Sequence, residues 1–195
     1  MNSKKDRIFQ AVIDHLKNEG FLMNLTIAKI AKKADVGKGT VYEYFNSKEE
    51  LIAETIIYML EKNNSRVLNL SNDSLNFKDS LLLFINKTFE ILIENTNIHT
   101  ILMSEEIYGL INHQLKQKMM VKIMELKKDY IQYLMSIINK GVNEGKFNPI
   151  RDSFIAISIS NLIVTNIMYF INHKDEYQKD EFIDKMYQLI LKLVS

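Results

Sequence analysis

The sequence predicts an all-α chain of about nine helices, with a small three-helix head followed by a larger helical body. Three observations predict it. The 195 residues contain one Pro and six Gly, so long stretches run without a helix breaker. Apolar residues recur at spacings of three and four, with no alternating strand pattern. Hydrophobic residues make up 47% and charged residues 25%, the balance of a folded globular chain rather than a disordered one.

The first helix runs from about Lys4 to Asn18, with Ile8, Phe9, Val12, Ile13 and Leu16 on one face. Gly20 follows where a helix C-terminus favours a left-handed residue. Thr26 supplies an N-cap for a second helix of about two turns, "TIAKIAKKA", whose Ile27, Ile30, Ala31 and Ala34 share a face. Asp35, Val36 and Gly37 end it, and a third short helix covers Lys38 to Phe45. Ser47, with Glu50 three residues on, forms a capping box. It starts a fourth helix that has Lys48 in its first turn and continues to about Leu68. Further helices are predicted over Phe77–Glu94, near Ile98–Tyr108, and over Ile111–Asn139, Arg151–Asn172 and Asp180–Val194. The polar stretches "NLSNDSLN", "GVNEGKFNP" and "HKDEYQK" read as loops.

Composition narrows the function classes. Cysteine is absent, which removes disulfides, thiolate metal sites and cysteine nucleophiles together. His99 and His113 make no His-x-x-x-His pair, so no metal is expected. No nucleophile stands beside a base in a local motif, and neither a catalytic residue nor a cofactor is expected. The opening "MNSKKDRIFQAVIDH" has no apolar run of signal-peptide length, which leads us to expect a cytoplasmic protein. Ser153 to Asn172 carries no charge and is long enough to be tested as a membrane span. Ser158, Asn161, Thr165 and Asn172 interrupt it along one face, so a helix packed from both sides is the better reading. Charge is unevenly placed: residues 1–48 carry nine Lys or Arg against five Asp or Glu, a net +4. Residues 49–195 carry sixteen against nineteen, a net −3. A basic head on a mildly acidic body suits contact between the head and a polyanion.

Two short helices joined by a tight turn, with a supporting helix on either side, form a helix-turn-helix unit. Its second helix must enter a major groove ~12 Å wide, so its first turn needs slim residues. Gly37 and Gly39 provide them, leaving Lys38 and Thr40 to project at the helix N-terminus. Val36, Val41 and Phe45 are spaced to pack back on Ile27, Ile30 and Ala31. Tyr42 and Tyr44 point elsewhere, each with a hydroxyl suited to a phosphate oxygen. Thr26 and Lys48 stand at two further helix N-termini, also suited to phosphate. Lys29, Lys32 and Lys33 fit a solvated face as well as they fit phosphate. Competing motifs fail. Lys38 is followed by Gly39 where a Walker loop needs Ser or Thr, and a dinucleotide fingerprint would need glycine where Tyr42 stands.

"TIAKIAKKADVGKGTVYEYFNSKEEL" resembles the DNA-binding signature of the TetR family of bacterial transcriptional regulators. The likeness rests on the Thr, the Ile-Ala pair, the Ala-x-Val turn, the Gly-Thr-Val-Tyr-x-Tyr-Phe helix and the following Lys-x-x-Leu, and extends over residues 4–55. Two positions depart from the family pattern. Asp35 stands where glycine is usual, and Asp tolerates a left-handed backbone. Gly37 stands where Ser or Thr is frequent, and it is a weaker cap. The resemblance implies a DNA-binding domain over residues 1–47, with Thr26, Thr40, Tyr42, Tyr44 and Lys48 on phosphates and Lys38 and Gly39 at base edges.

The resemblance also implies that residues 48–195 form a helical domain that encloses an apolar effector pocket and dimerises through its last two helices. Phe84, Phe89, Met103, Tyr108, Met120, Met124 and Tyr130 supply the large adaptable groups such a pocket uses. Ile155, Ile159, Leu162, Ile163, Met186 and Ile190 are the candidate dimerisation residues. Glu105 and Glu106 fit a cationic ligand, and the five lysines of "LKQKMMVKIMELKK" fit the anionic head of an acyl thioester, so the effector stays open. The implied function is a homodimeric repressor that binds a palindromic double-stranded DNA operator, is released by a small, largely apolar effector, and has no membrane partner. A helical small-molecule-binding protein or enzyme with a vestigial helix-turn-helix is the alternative. A sequence-indifferent DNA binder would need a more basic head than +4.

Overall fold

The computed structural model describes residues 3–19, 24–70, 73–97, 100, 109–149 and 152–194. Eight α-helices run through the described residues, and no strand is found among them. They are α1 (Lys4–Glu19), α2 (Ile27–Lys33), α3 (Lys38–Tyr44), α4 (Lys48–Leu68), α5 (Phe77–Glu94), α6 (His113–Asn143), α7 (Phe154–Asn172) and α8 (Lys179–Val194). The expected cap at Gly20 and most of the short helix expected near residues 98–108 lie outside the described residues.

The chain forms two compact units, one of residues 1–62 and 95–125, the other of residues 63–94 and 126–195. The boundary expected at residue 47 falls inside the first of these. In the first unit the apolar face of α1 (Ile8, Phe9, Val12, Ile13, Leu16) is buried. Ile30, Ala31 and Ala34 of α2, Val41 and Phe45 at α3, and Leu51, Ile52 and Ile56 of α4 join it in one core. Removing this apolar surface from water is what holds the two short helices in place, since neither is long enough to persist alone.

Each left-handed residue among those described closes a helix. Asp35 has φ 53°, as the sequence predicts. Its N–H donates to the carbonyl of Lys32 at 3.2 Å, and the Val36 N–H donates to that of Ala31 at 3.0 Å. Gly145 (φ 70°) ends α6 in the same way, with Gly145 N–H on Val142 and Lys146 N–H on Gly141, both at 3.0 Å.

The second unit packs α5 against α7 and α8, with Leu134, Ile137 and Ile138 of α6 in the same core. Phe89 and Phe170 meet edge-on at 4.9 Å, and Phe170 lies 5.1 Å from Phe182. α6 runs four residues past the expected Asn139, to Asn143, and passes through Gly141. Phe147 explains the glycine. Its ring lies so close to the Gly141 backbone that a Cβ there would clash with the ring. That ring also stands edge-on to Phe77 at 5.0 Å, and the Glu144 carboxylate accepts the Phe77 N–H at 2.6 Å. Gly141→Ala must therefore expel the ring, and we expect a loss of about 1–3 kcal/mol in urea unfolding, the usual range for overpacking. Unchanged stability would mean that the ring relocates at no cost.

Candidate nucleic-acid interface

Thr26 caps α2, its Oγ1 accepting the Lys29 N–H at 3.3 Å. The Asp35 turn then delivers the chain to α3, whose N-cap is Gly37 with an ordinary extended backbone (φ −71°, ψ 152°). Val41 and Phe45 are fully buried and anchor one side of α3. A helix advances about 100° per residue, so positions two residues from Val41 lie nearly opposite it. Those positions are Gly39 and Glu43, both exposed. Lys38 and Tyr42 flank them on one side, Thr40 and Tyr44 on the other. Tyr42 is 56% and Tyr44 41% exposed, and Thr40 is half-buried. The structure thus brings Lys38, Gly39, Thr40, Tyr42 and Tyr44 onto one outward surface. Glu43 shares that surface and was not singled out from the sequence. A carboxylate there can accept a hydrogen bond from a cytosine amine, while it repels phosphate.

α4 begins beside this surface with Lys48 half-buried in its first turn. The Ser47 hydroxyl accepts the Glu50 N–H at 3.1 Å, as a capping box requires. The return bond differs, because the Glu50 carboxylate accepts the N–H of Asn46 at 2.7 Å and its side-chain amide at 2.8 Å. Lys29 donates to the Asn24 carbonyl at 3.1 Å, and Lys33 lies 3.9 Å from Asp14. Two of the three ambiguous lysines are therefore engaged within the protein. Arg7 of α1 reaches the Asp35 carboxylate at 3.2 Å across the turn.

The candidate effector residues fall into separate places. Phe84, Phe89 and Tyr130 belong to the core of the second unit, with Phe84 and Tyr130 rings 4.8 Å apart. The Tyr130 hydroxyl pairs with Thr88 Oγ1 at 3.0 Å, and burial raises its pKa far above the usual tyrosine range. Met120 and Met124 stand exposed on α6 in the first unit, 56% and 66% accessible. Met103, Tyr108, Glu105, Glu106 and His99 lie outside the described residues. Among the described residues no cluster of three or more metal-ligating side chains occurs.

The candidate dimerisation residues divide by burial. Ile159, Ile163, Met186 and Ile190 are buried within the second unit's own core, and Ile155 and Leu162 are half-buried. The apolar groups that α7 and α8 leave in the open are Phe154, Val164, Tyr169, Leu189 and Leu193. Sequence periodicity found the inward face because α7 is apolar nearly all round. The polar stripe read from the sequence marks the other side: Asn161, Thr165 and Asn172 lie on the exposed side of α7, with Ser158 half-buried beside it.

Residues 22–55 match the family model described as bacterial regulatory proteins of the tetR family. That match places a tetR-family DNA-binding segment within the chain. It is 27% identical over 150 residues to the fatty acid metabolism regulator protein of Bacillus subtilis (strain 168), which spans 77% of this chain and 74% of that one. It is 22% identical over 188 residues to the nucleoid occlusion factor SlmA of Aliivibrio fischeri, 96% of this chain and 94% of that one. The fold is shared with the crystal structure of FadR from Bacillus subtilis in complex with stearoyl-CoA, at a TM-score of 0.68 and 23% identity over 97% of both chains.

Among the described residues nothing gives the two glycines of α3 an internal cause. Neither has a left-handed φ. A Cβ at Gly39 would meet nothing within 4 Å, and one at Gly37 only the Thr40 hydroxyl at 4.0 Å. Glycine at position 39 costs the helix up to ~1 kcal/mol relative to alanine. No packing or backbone angle among the described residues requires the slim backbone. Gly39→Ala should therefore raise the melting temperature while weakening binding to an operator duplex by about tenfold or more, a change of ~1.4 kcal/mol. Stabilisation with unchanged duplex affinity would remove the close approach from the account.

Proposed function

We propose that the chain is a cytoplasmic, homodimeric transcriptional repressor that holds a palindromic operator through α3 and is released by a long-chain fatty acyl thioester. The observation that carries the DNA reading is the outward surface of α3, two glycines without an internal role beside Lys38, Thr40, Tyr42 and Tyr44. Its chemistry suits a groove: Lys38 supplies a cation near base edges, and Thr26, Thr40, the two tyrosines and Lys48 supply donors for phosphates. A scaffold protein or enzyme gains nothing by exposing these groups while leaving the backbone bare, and this disfavours the vestigial reading.

Two-fold pairing is supported by α7 and α8. α7 is long and apolar enough to cross a membrane by length and composition, yet only 33% of that stretch is buried. Phe154, Val164, Leu189 and Leu193 stay exposed with it. A second copy covering this face removes the apolar surface from water, and pairing sets two α3 helices to read half-sites about 34 Å apart. The effector class follows the relatives, one named for fatty acid metabolism and one crystallised with stearoyl-CoA.

The test is titration of a fluorescent duplex from the gene's own upstream region against a scrambled duplex at two salt concentrations. We expect selective binding that weakens steeply with salt as counterions are released. Lys48→Ala should weaken both duplexes alike and lower the salt slope by about one. Lys38→Ala should cost about 1–3 kcal/mol at one base position and relax selectivity. Stearoyl-CoA should release the operator where a cationic drug does not. Equal weak binding to both duplexes would contradict the DNA reading, and release by the drug alone would contradict the effector class.

A further inference from the structure

Within the first unit one carboxylate ties three helices together. Glu54 of α4 accepts from Lys5 of α1 through Oε2 and from Lys118 of α6 through Oε1, each at 3.0 Å. Its side chain is 20% exposed. Burial pushes the Glu54 carboxyl up, but hydrogen bonds from Lys118 and Lys5 outweigh it and hold the group below the ordinary glutamate range. Lys5 does more than pair with Glu54. Its ammonium lies 5.3 Å from the ring centroids of Phe9 and of Phe45. Phe45 closes α3, with its N–H on the Val41 carbonyl at 3.0 Å. A continuous line of contacts therefore runs from α6 through Glu54 and Lys5 to the end of α3.

Met119 and Leu115 of α6 pack on the core that α1 and α4 share, and beside that apolar contact the ties are ionic. A cleft of about 420 Å³ opens around Glu54, walled by Phe9, Ile57, Tyr58 and Val121. A second tie lies along it, Lys122 of α6 to Glu61 of α4 at 2.9 Å. Apolar side chains that met across the cleft would lock one spacing, because close-packed contacts do not deform gradually. Long lysine side chains holding one carboxylate allow more than one. If Glu54 loses its charge, two ammonium groups that share it are left without a counter-charge, so the three side chains act as a unit.

We propose that Glu54 is a positioning residue for DNA binding, the group through which the placement of α6 is passed to α1 and to the end of α3. This rests on the functional reading above. A double-mutant cycle on the full chain tests it, since spatial continuity alone does not establish coupling. Lys118→Met keeps the apolar stem and removes the charge. It should weaken operator binding threefold or more in the wild-type background and less than 1.5-fold in the Glu54→Gln background, and Lys118→Arg should retain wild-type affinity. Melting curves establish that each variant is folded. Should Glu54→Gln not fold, the cycle is run with Lys5→Met, which breaks the same unit at its other end. Equal effects of Lys118→Met in both backgrounds, or none in either, would overturn the assignment while a selective wild type leaves the functional reading standing. A wild type that does not prefer its operator would overturn both.

Discussion

Burial of Val41 and Phe45 fixes the roll of α3, and the face that can meet DNA is whatever that roll leaves outside. α3 is two turns long and has no cap side chain, so its own hydrogen bonds would not hold it. Its orientation comes from the core that α1 supplies and from the Asp35 turn, which aims the chain before α3 begins. Once the two apolar anchors are seated, Gly39 and Glu43 must point outward, with a cation and hydroxyl groups on either side. The pattern of the surface is thus a consequence of packing beneath it.

The same constraint separates two kinds of glycine in this protein. Gly141 is demanded from inside, by a phenylalanine ring occupying the space where its side chain would be. Gly37 and Gly39 have room for a side chain and ordinary backbone angles, so no described residue demands them from inside. α7 tells a parallel story at larger scale. The helix without a charge from Ser153 to Asn172 is covered over only part of its surface within its own unit.

Much of the head was legible in the sequence because its signals are local. The Thr26 cap, the left-handed Asp35, the Ser47 and Glu50 box, and the burial of Val41 and Phe45 each depend on residues within a turn or two of one another. The reach of Glu50 to Asn46 instead of Ser47 is a matter of rotamer and was not. Along α7 the apolar residues that face its own core and those left exposed look alike in sequence, because most of its surface is apolar. Phe84, Phe89 and Tyr130 were chosen as pocket residues for their size and type, but the same side chains serve a close-packed core. The pairing of Lys5, Glu54 and Lys118 spans 49 and 64 residues of sequence, beyond any local pattern.

The central claim is that the outward face of α3 is where DNA lies. Hydrogen–deuterium exchange of the full chain, with and without the operator duplex, addresses it most directly. Exchange is expected to slow most in peptides spanning residues 36–48 and far less in those of α7 and α8. Slowed exchange confined to α6 or to the second unit, with residues 36–48 unchanged, would contradict it.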